Sequence, residues 1–377
     1  MPRSQSVCGR GPEFLVRSPS RHGRECRRAL PWAGEGTGTK TSENAATLAS
    51  RLGVFKGSTA VKDFLNPDNH PPIPLVELPD RLNPFRAQNV RIFGKLMYLL
   101  PLLSIKSLTA INMLLEADAA GDLAGADGII ENSSGNTAFA LGILAELYGI
   151  RRVVAVVPWD IAPGKLDLLR LCGVEPRLVR GVAGEPSGIA QARDGGRKPG
   201  WFNPAQYENE ANPRASEKWV APQIWKQTDG KLTVFAAGLG TTGTLVGAKR
   251  YFRRIAPRVT LVGAMCGPNS AVPGVRSEAR LREVAFPWRE TADYVVEVET
   301  KESFKKSLEL CRAGLMGGPS SGFALMGLLK LLQAREASSG LDPLRNEDGE
   351  VVAAFICADT PLPYLDKYST HLDPDDF

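Results

Sequence analysis

Histidine is almost missing from this 377-residue chain. His22, His70 and His371 are the three copies, and none lies between residues 71 and 370. A Ser-His-Asp or Cys-His nucleophilic machine therefore has no imidazole in the body of the protein, and the same scarcity argues against a histidine-rich zinc site. The six cysteines (Cys8, Cys26, Cys172, Cys266, Cys311 and Cys357) form no CxxC and no regular spacing. They are read as reduced thiols of an intracellular protein rather than as a disulfide framework. There is no GxxxxGK[ST] loop, which removes a P-loop nucleotidase. Charge of one sign is also lacking in the body: eight basic and three acidic residues in positions 1–40 account for the whole net charge of +5. A neutral body offers no basic footprint for nucleic acid. Only Leu96–Leu115 approaches a membrane-spanning length, and Pro101 and the central Lys106 argue against a span. A buried strand, a turn and a core helix fit that stretch better.

What is present is the composition of an ordinary folded protein, with 43% hydrophobic and 23% charged residues, enough for one large domain or two ordinary ones. Residues 1–45, rich in Arg, Ser, Gly and Pro, are read as a disordered tail or an organelle-targeting segment. The absence of an apolar h-region there argues against a secretory signal. Pro71–Leu78 reads as an extended lead-in. Beyond Val90, strand-length apolar runs (Ala126–Ile130, Val153–Val157, Pro176–Val179, Thr233–Ala237, Thr260–Gly263, Tyr294–Val298, Val351–Cys357) alternate with helical patterns. The helical segments are Leu108–Ala117, Ala138–Tyr148, Lys165–Cys172, Thr244–Ile255, Leu281–Val284, Ser303–Ala313 and Gly322–Ala337. This alternation predicts an α/β protein with parallel sheets buried on both faces.

Four elements carry chemistry. Lys106 sits in an apolar setting, Leu102-Leu103-Ser104-Ile105-Lys106-Ser107-Leu108. It reads either as a lysine snorkelling from a helix start or as a desolvated amine with a depressed pKa, suited to attack a carbonyl. Ser133-Ser134-Gly135-Asn136-Thr137 joins a strand to a helix. Its hydroxyls and free N–H groups suit a carboxylate, and five small polar residues exceed what a cap needs. Gly238-Leu239-Gly240-Thr241-Thr242-Gly243-Thr244 again joins strand to helix. Read literally it is GxGxxG, but the acid that a dinucleotide site places about 20 residues on is absent. Its three threonines favour a phosphate monoester. Ala358-Asp359-Thr360 closes the last strand, where α/β proteins place ligands.

In this order the four elements resemble the fold-type II pyridoxal-phosphate enzymes, the cysteine synthase and cystathionine β-synthase family. Lys95–Lys106 (KLMYLLPLLSIK) resembles that family's lysine segment, and Ser134–Ala138 its TSGNTG loop. Gln206–Pro213 followed by Pro222-Gln223-Ile224-Trp225 resembles QFxNPANP…GPEIW. Gly318-Pro319-Ser320-Ser321-Gly322 resembles GISSG, and Asp359-Thr360 with Tyr364-Leu365 resembles PDSGERYL. The likeness runs from about residue 70 to 370. Departures exist: Lys-Asp-Arg reads Lys106-Ser107-Leu108, Ala138 replaces a glycine, and Val272–Glu278 stands near the place of GIGAGF.

The resemblance implies a tryptophan synthase β-like fold of two domains, with twisted, mostly parallel sheets flanked by helices. Residues 95–208 form the smaller, substrate-carboxylate domain. Residues 46–94 plus 209–370 form the larger, cofactor-phosphate domain, and 371–377 a tail. It implies pyridoxal 5′-phosphate held as an aldimine by Lys106, its ring hydroxyl met by Asn136, its phosphate cradled by Gly240, Thr241, Thr242, Gly243 and Thr244, and its ring nitrogen faced by Thr360. Ser133, Ser134, Gly135, Thr137 and Gln206 would hold the substrate carboxylate, Gly274 would pack near the ring, and Arg276 is a second candidate for anion contact. The implied reaction is β-replacement on serine or an O-activated serine through an α-aminoacrylate, with sulfide or a thiol as nucleophile. The alternatives are β-elimination to pyruvate and ammonia, or a catalytically weak binding protein of the same fold. A cytoplasmic homodimer without metal is expected.

Overall fold

The computed structural model describes residues 53–161, 163–180 and 186–377; the expectations for residues 1–45 lie outside them. Among the described residues, ten strands form two sheets. The larger has the order β1 (Leu75–Glu77), β2 (Val90–Leu96), β10 (Val351–Cys357), β7 (Val234–Gly238), β8 (Thr260–Cys266), β9 (Tyr294–Val298). Only β1 runs antiparallel, pairing Val76 with Gly94. The other ladders are parallel. The smaller sheet, all parallel, has the order β5 (Val174–Val179), β4 (Arg152–Pro158), β3 (Gly128–Asn132), β6 (Trp201–Phe202).

The hydrophobic pattern explains the layering. All seven residues of β10 (VVAAFIC) are buried, as a central parallel strand covered on both faces requires. One face of the large sheet packs Val234, Val262 and Phe355 against Leu325, Leu328 and Leu332 of the helix Pro319–Ser338. The other face packs Phe235 and Leu261 with Leu245 and Phe252 of the helix Gly243–Ile255. Among the described residues, no helix is long and apolar enough to cross a membrane.

Several elements differ from the sequence expectation. The strand expected inside Leu96–Leu115 lies earlier, at Val90–Leu96, and is followed by a 3-10 turn at Met97–Leu99. The short helix expected at Leu281–Val284 is Glu278–Leu281. The helix Ala211–Trp219, which contains Pro213, is not among the expected helices. That proline falls in the first turn, where the missing N–H has no intrahelical partner to lose. Residues 371–377, expected as a tail, pack back on the body: Leu372 is buried beside Phe304, and Lys305 meets Asp376 at 2.8 Å.

One side chain of the large sheet contradicts simple patterning. Lys95 in β2 is fully buried. Its Nζ donates to the Ile73 carbonyl at 2.6 Å and to Oε1 of Gln223 and Gln227 at 2.8 Å each. Neutral acceptors solvate the ammonium only in part, so burial lowers its pKa to about 7. The unfolded chain then binds a proton that the native protein lacks between about pH 7 and 10, so this group makes stability rise with pH across that window. Urea unfolding of the native protein is expected to show that rise. The Lys95→Met variant, in which Gln223 still accepts from the Ile73 N–H and Gln227 still donates to the Ile73 carbonyl, is expected to lose it.

Candidate active site

The site is assembled at the carboxyl ends of β3, β7 and β10, where an open α/β sheet leaves its crevice. The segment after β2 returns to the end of β10: the Ile105 N–H donates to the Ala358 carbonyl at 2.8 Å, and Ser104 bridges to Asp359. This clamp puts Lys106 at the first position of the helix Lys106–Ala120. Its Nζ donates to Thr241 Oγ1 at 3.3 Å. Burial lowers the amine's pKa to about 8; Asp359 pulls it up and Arg276 pushes it further down.

The glycine loop leaves β7 and enters the helix Gly243–Ile255. A Cβ on Gly240 would lie 2.2 Å from the Gly274 carbonyl oxygen, and one on Gly243 would lie 2.1 Å from Asn212 Oδ1. The loop can close only with glycine at both places. Thr242 is held at φ +65° as the helix N-cap, and its buried Oγ1 has no hydrogen-bond partner among the described residues. An orphaned buried hydroxyl beside the N–H groups of a helix N-terminus is what an absent phosphate would satisfy. Asn212 ties the loop to its surroundings, donating to Thr241 Oγ1 at 2.9 Å and to the Gln206 carbonyl at 2.6 Å.

The second loop follows β3 and starts the helix Asn136–Ala145. Thr137 donates to Gln206 Oε1 at 2.8 Å, and Gln206 Nε2 donates to the Asn132 carbonyl at 2.9 Å. Beneath them Glu131, to which the sequence assigns no role, accepts the N–H groups of Asn132 at 2.8 Å and Gln206 at 3.1 Å. Burial lifts its pKa to about 7 against those two donors. It thus ties the carboxylate loop to the turn that carries Gln206.

The end of β10 supplies Asp359. Buried, it accepts from Asn136 Nδ2 at 2.7 Å, Tyr364 Oη at 2.7 Å and Ser320 Oγ at 3.0 Å. Burial raises its pKa in spite of these donors. Two connected cavities result. The inner, about 60 Å³, is lined by Lys106, Asn136, Gly240, Thr241, Thr242, Thr244, Gly274, Ser320 and Asp359. The outer, about 190 Å³, is lined by Ser133, Ser134, Gly135, Asn136, Thr137 and Gln206 together with Lys106, Lys165, Tyr207, Arg276, Arg280 and Tyr364.

The structure thus brings together Lys106, both loops, Gln206, Gly274 and Arg276. It does not bring Thr360 or Gly243 into either cavity lining. The strand end points Asp359 inward, and the Ser320 hydroxyl, from the start of the next-packed helix, joins it where Thr360 was expected. Gly243 serves the contact with Asn212 instead. The Asn136 amide is engaged by Asp359. Lys165, Arg280 and Tyr364 had no expected role. Only their chain-distant positions on separate elements, 165, 280 and 364, could have hidden them, and no local signal marks them.

A family model described as "Pyridoxal-phosphate dependent enzyme" matches residues 67–343. Cysteine synthase B of Escherichia coli strain K12 is 32% identical over 290 residues, which cover 75% of this chain and 89% of that protein. Among solved structures, an O-acetylserine dependent cystathionine beta-synthase from Helicobacter pylori is similar with a TM-score of 0.65 at 26% identity, covering 78% of this chain and 94% of that one. A cysteine synthase from Entamoeba histolytica is similar in fold, with a TM-score of 0.68 at 22% identity, covering 91% and 95%.

The cradle gives a direct test. In Gly240→Ala the new methyl meets the Gly274 carbonyl, and the loop must open. Overpacking of this kind costs about 1–3 kcal/mol, so pyridoxal phosphate, titrated by its visible absorbance, should bind about tenfold or more weakly. The far-ultraviolet circular dichroism should be unchanged.

Proposed function

The chain belongs to the pyridoxal-phosphate dependent enzyme family, and from that premise we propose that it catalyses β-replacement on an O-activated serine, with sulfide or another small thiol as nucleophile. The single observation that carries this reading is the Lys106 amine, with its pKa lowered to about 8, set at the junction of a phosphate cradle and a carboxylate loop. Relatives named as cysteine synthases support the reaction class.

When bound, pyridoxal phosphate supplies an aldehyde that joins amines and a ring that accepts the electron pair released at Cα. Gly240, Thr241, Thr242 and Thr244 would hold its phosphate, and Lys106 its aldehyde carbon. Asn136, Ser320 and Asp359 are the further polar side chains of the inner cavity that would be available to the ring, whose lining does not include Thr360. Ser133, Ser134, Gly135, Thr137 and Gln206 would fix the substrate carboxylate, which orients the Cα–H bond toward Lys106. The Lys106 amine takes the Cα proton as a general base and holds it for return to Cα. Glu131 keeps the loop in position through Gln206 and the Asn132 amide. Tyr207 and Tyr364 wall the cavity against water. The reading includes a homodimer and a cytoplasmic location, as the resemblance implies.

The decisive experiment supplies the purified protein with pyridoxal phosphate, an O-activated serine and sulfide, and identifies the product by mass spectrometry. Cysteine is the expected product; pyruvate and ammonia in its place would make the protein a lyase. Lys106→Ala should lose both turnover and the yellow colour of the bound cofactor. A further expectation concerns pH. Only the neutral Lys106 amine attacks an aldehyde, so in stopped-flow the rate at which the cofactor-free protein takes up pyridoxal phosphate should rise with pH, with a midpoint near 8.

A further inference from the structure

The outer cavity carries more positive charge than the carboxylate of an amino acid needs. That carboxylate already has the loop Ser133–Thr137 and Gln206. Yet Lys165, Arg276 and Arg280 line the same cavity beside Lys106. Arg276 is engaged: it lies 3.2 Å from Glu283, stacks 4.4 Å over the Tyr207 ring and donates to the Arg280 carbonyl. Lys165 and Arg280 have no ion-pair partner among the described residues. Lys165 rests 5.2 Å over the Tyr364 ring, and burial lowers its pKa, with Asp359 opposing. The neighbouring Asp366 is shared with Lys367, 3.6 Å away.

The approach to the site has the same bias. A cleft of about 570 Å³ shares Ser134, Lys165, Arg280 and Tyr364 with the outer cavity and adds Lys367 and His371, against Asp160 and Asp366. Lys165 is half-buried and Arg280 is exposed; a partly desolvated cation such as Lys165 without an ion-pair partner is unfavourable in the free protein and favourable once an anion arrives. With His371 held neutral by its lowered pKa, the lysines and arginine of this cleft exceed its carboxylates by one, a mild bias that draws anions inward.

We propose that the group activating the serine oxygen is a phosphate, so that the amino-acid donor is a phosphorylated serine whose phosphoryl oxygens are bound by Lys165 and Arg280. This deepens the reading above and rests on it. Two cations match a dianion, and the guanidinium fork matches its oxygens, whereas a neutral acyl ester would leave both unpaired. In the reaction the Cβ–O bond breaks and its electron pair leaves on the phosphate. A thiolate forms the new Cβ–S bond, and the proton that Lys106 removed from Cα returns there. One phosphate is released for each thioether or thiol formed.

The test is steady-state kinetics of the holoenzyme with sulfide and either O-phosphoserine or O-acetylserine. The native enzyme should favour O-phosphoserine in kcat/KM by about tenfold or more, the size expected of charge-assisted contacts. Lys165→Gln and Arg280→Gln, both substitutions of side chains outside the packed core, should each lower the ratio of kcat/KM for the phosphorylated over the acetylated donor by about tenfold, chiefly through KM. Equal or better use of O-acetylserine by the native enzyme overturns the proposal and leaves β-replacement standing. A preference for O-phosphoserine that neither variant diminishes overturns the assignment to these two residues. Turnover of neither donor by a coloured holoenzyme overturns the β-replacement reading, and this proposal with it.

Discussion

The site depends on one constraint: a lysine amine must be kept out of water and still be free to react. Water would hold Lys106 protonated. The protein removes water by tying the lysine segment to the last strand of the large sheet, through the Ile105 N–H on the Ala358 carbonyl. The same clamp brings Asp359 near enough to limit the fall in pKa. An amine lowered to about 8 is neutral for an appreciable fraction of the time at physiological pH, which a solvated lysine is not. The sheet order serves this arrangement: β10 lies between β2, which leads to the lysine, and β7, which leads to the glycine loop.

Close backbone approach is the second requirement, and glycine meets it. Gly240 lies against Gly274, Gly243 against Asn212, and Gly247 against the Pro213 carbonyl, where a Cβ would fall 2.1 Å away. These contacts press the helix Gly243–Ile255 onto the helix Ala211–Trp219. Asn212 then bonds to Thr241 and to the Gln206 backbone. The phosphate cradle and the carboxylate loop are therefore linked through one buried amide rather than held independently. A shift of Asn212 would move both.

Much of this was legible in the chain. Alternating strands and helices follow from apolar runs of two lengths, and the lysine and the two polar loops each join a strand to a helix, a local pattern that sequence displays. What was hidden depends on distance in the fold. Whether Asp359 or Thr360 points inward is decided by the direction in which β10 ends and by Ser320, 39 residues earlier, which donates to Asp359. Glu131 reads as an ordinary acid until Gln206 folds back over it. Lys95 reads as a break in an apolar strand, and only Ile73, Gln223 and Gln227 explain its burial. Pro213 conceals a helix because its place within the first turn is not visible from its neighbours.

The charges of the site form one coupled set. Asp359 is buried with three neutral donors and has its pKa raised; Lys106 and Lys165 lie half-buried near it with theirs lowered. Each shift is what low dielectric imposes on a charge without a matching partner at contact distance. Direct salt bridges among them would have relieved the strain but fixed the side chains and raised the amine's pKa. Keeping the carboxylate engaged by Asn136, Tyr364 and Ser320 leaves both lysines available. The unrelieved electrostatic cost is then highest in the free protein and falls as anionic groups enter, which makes binding energy, rather than the resting fold, the term that completes the site.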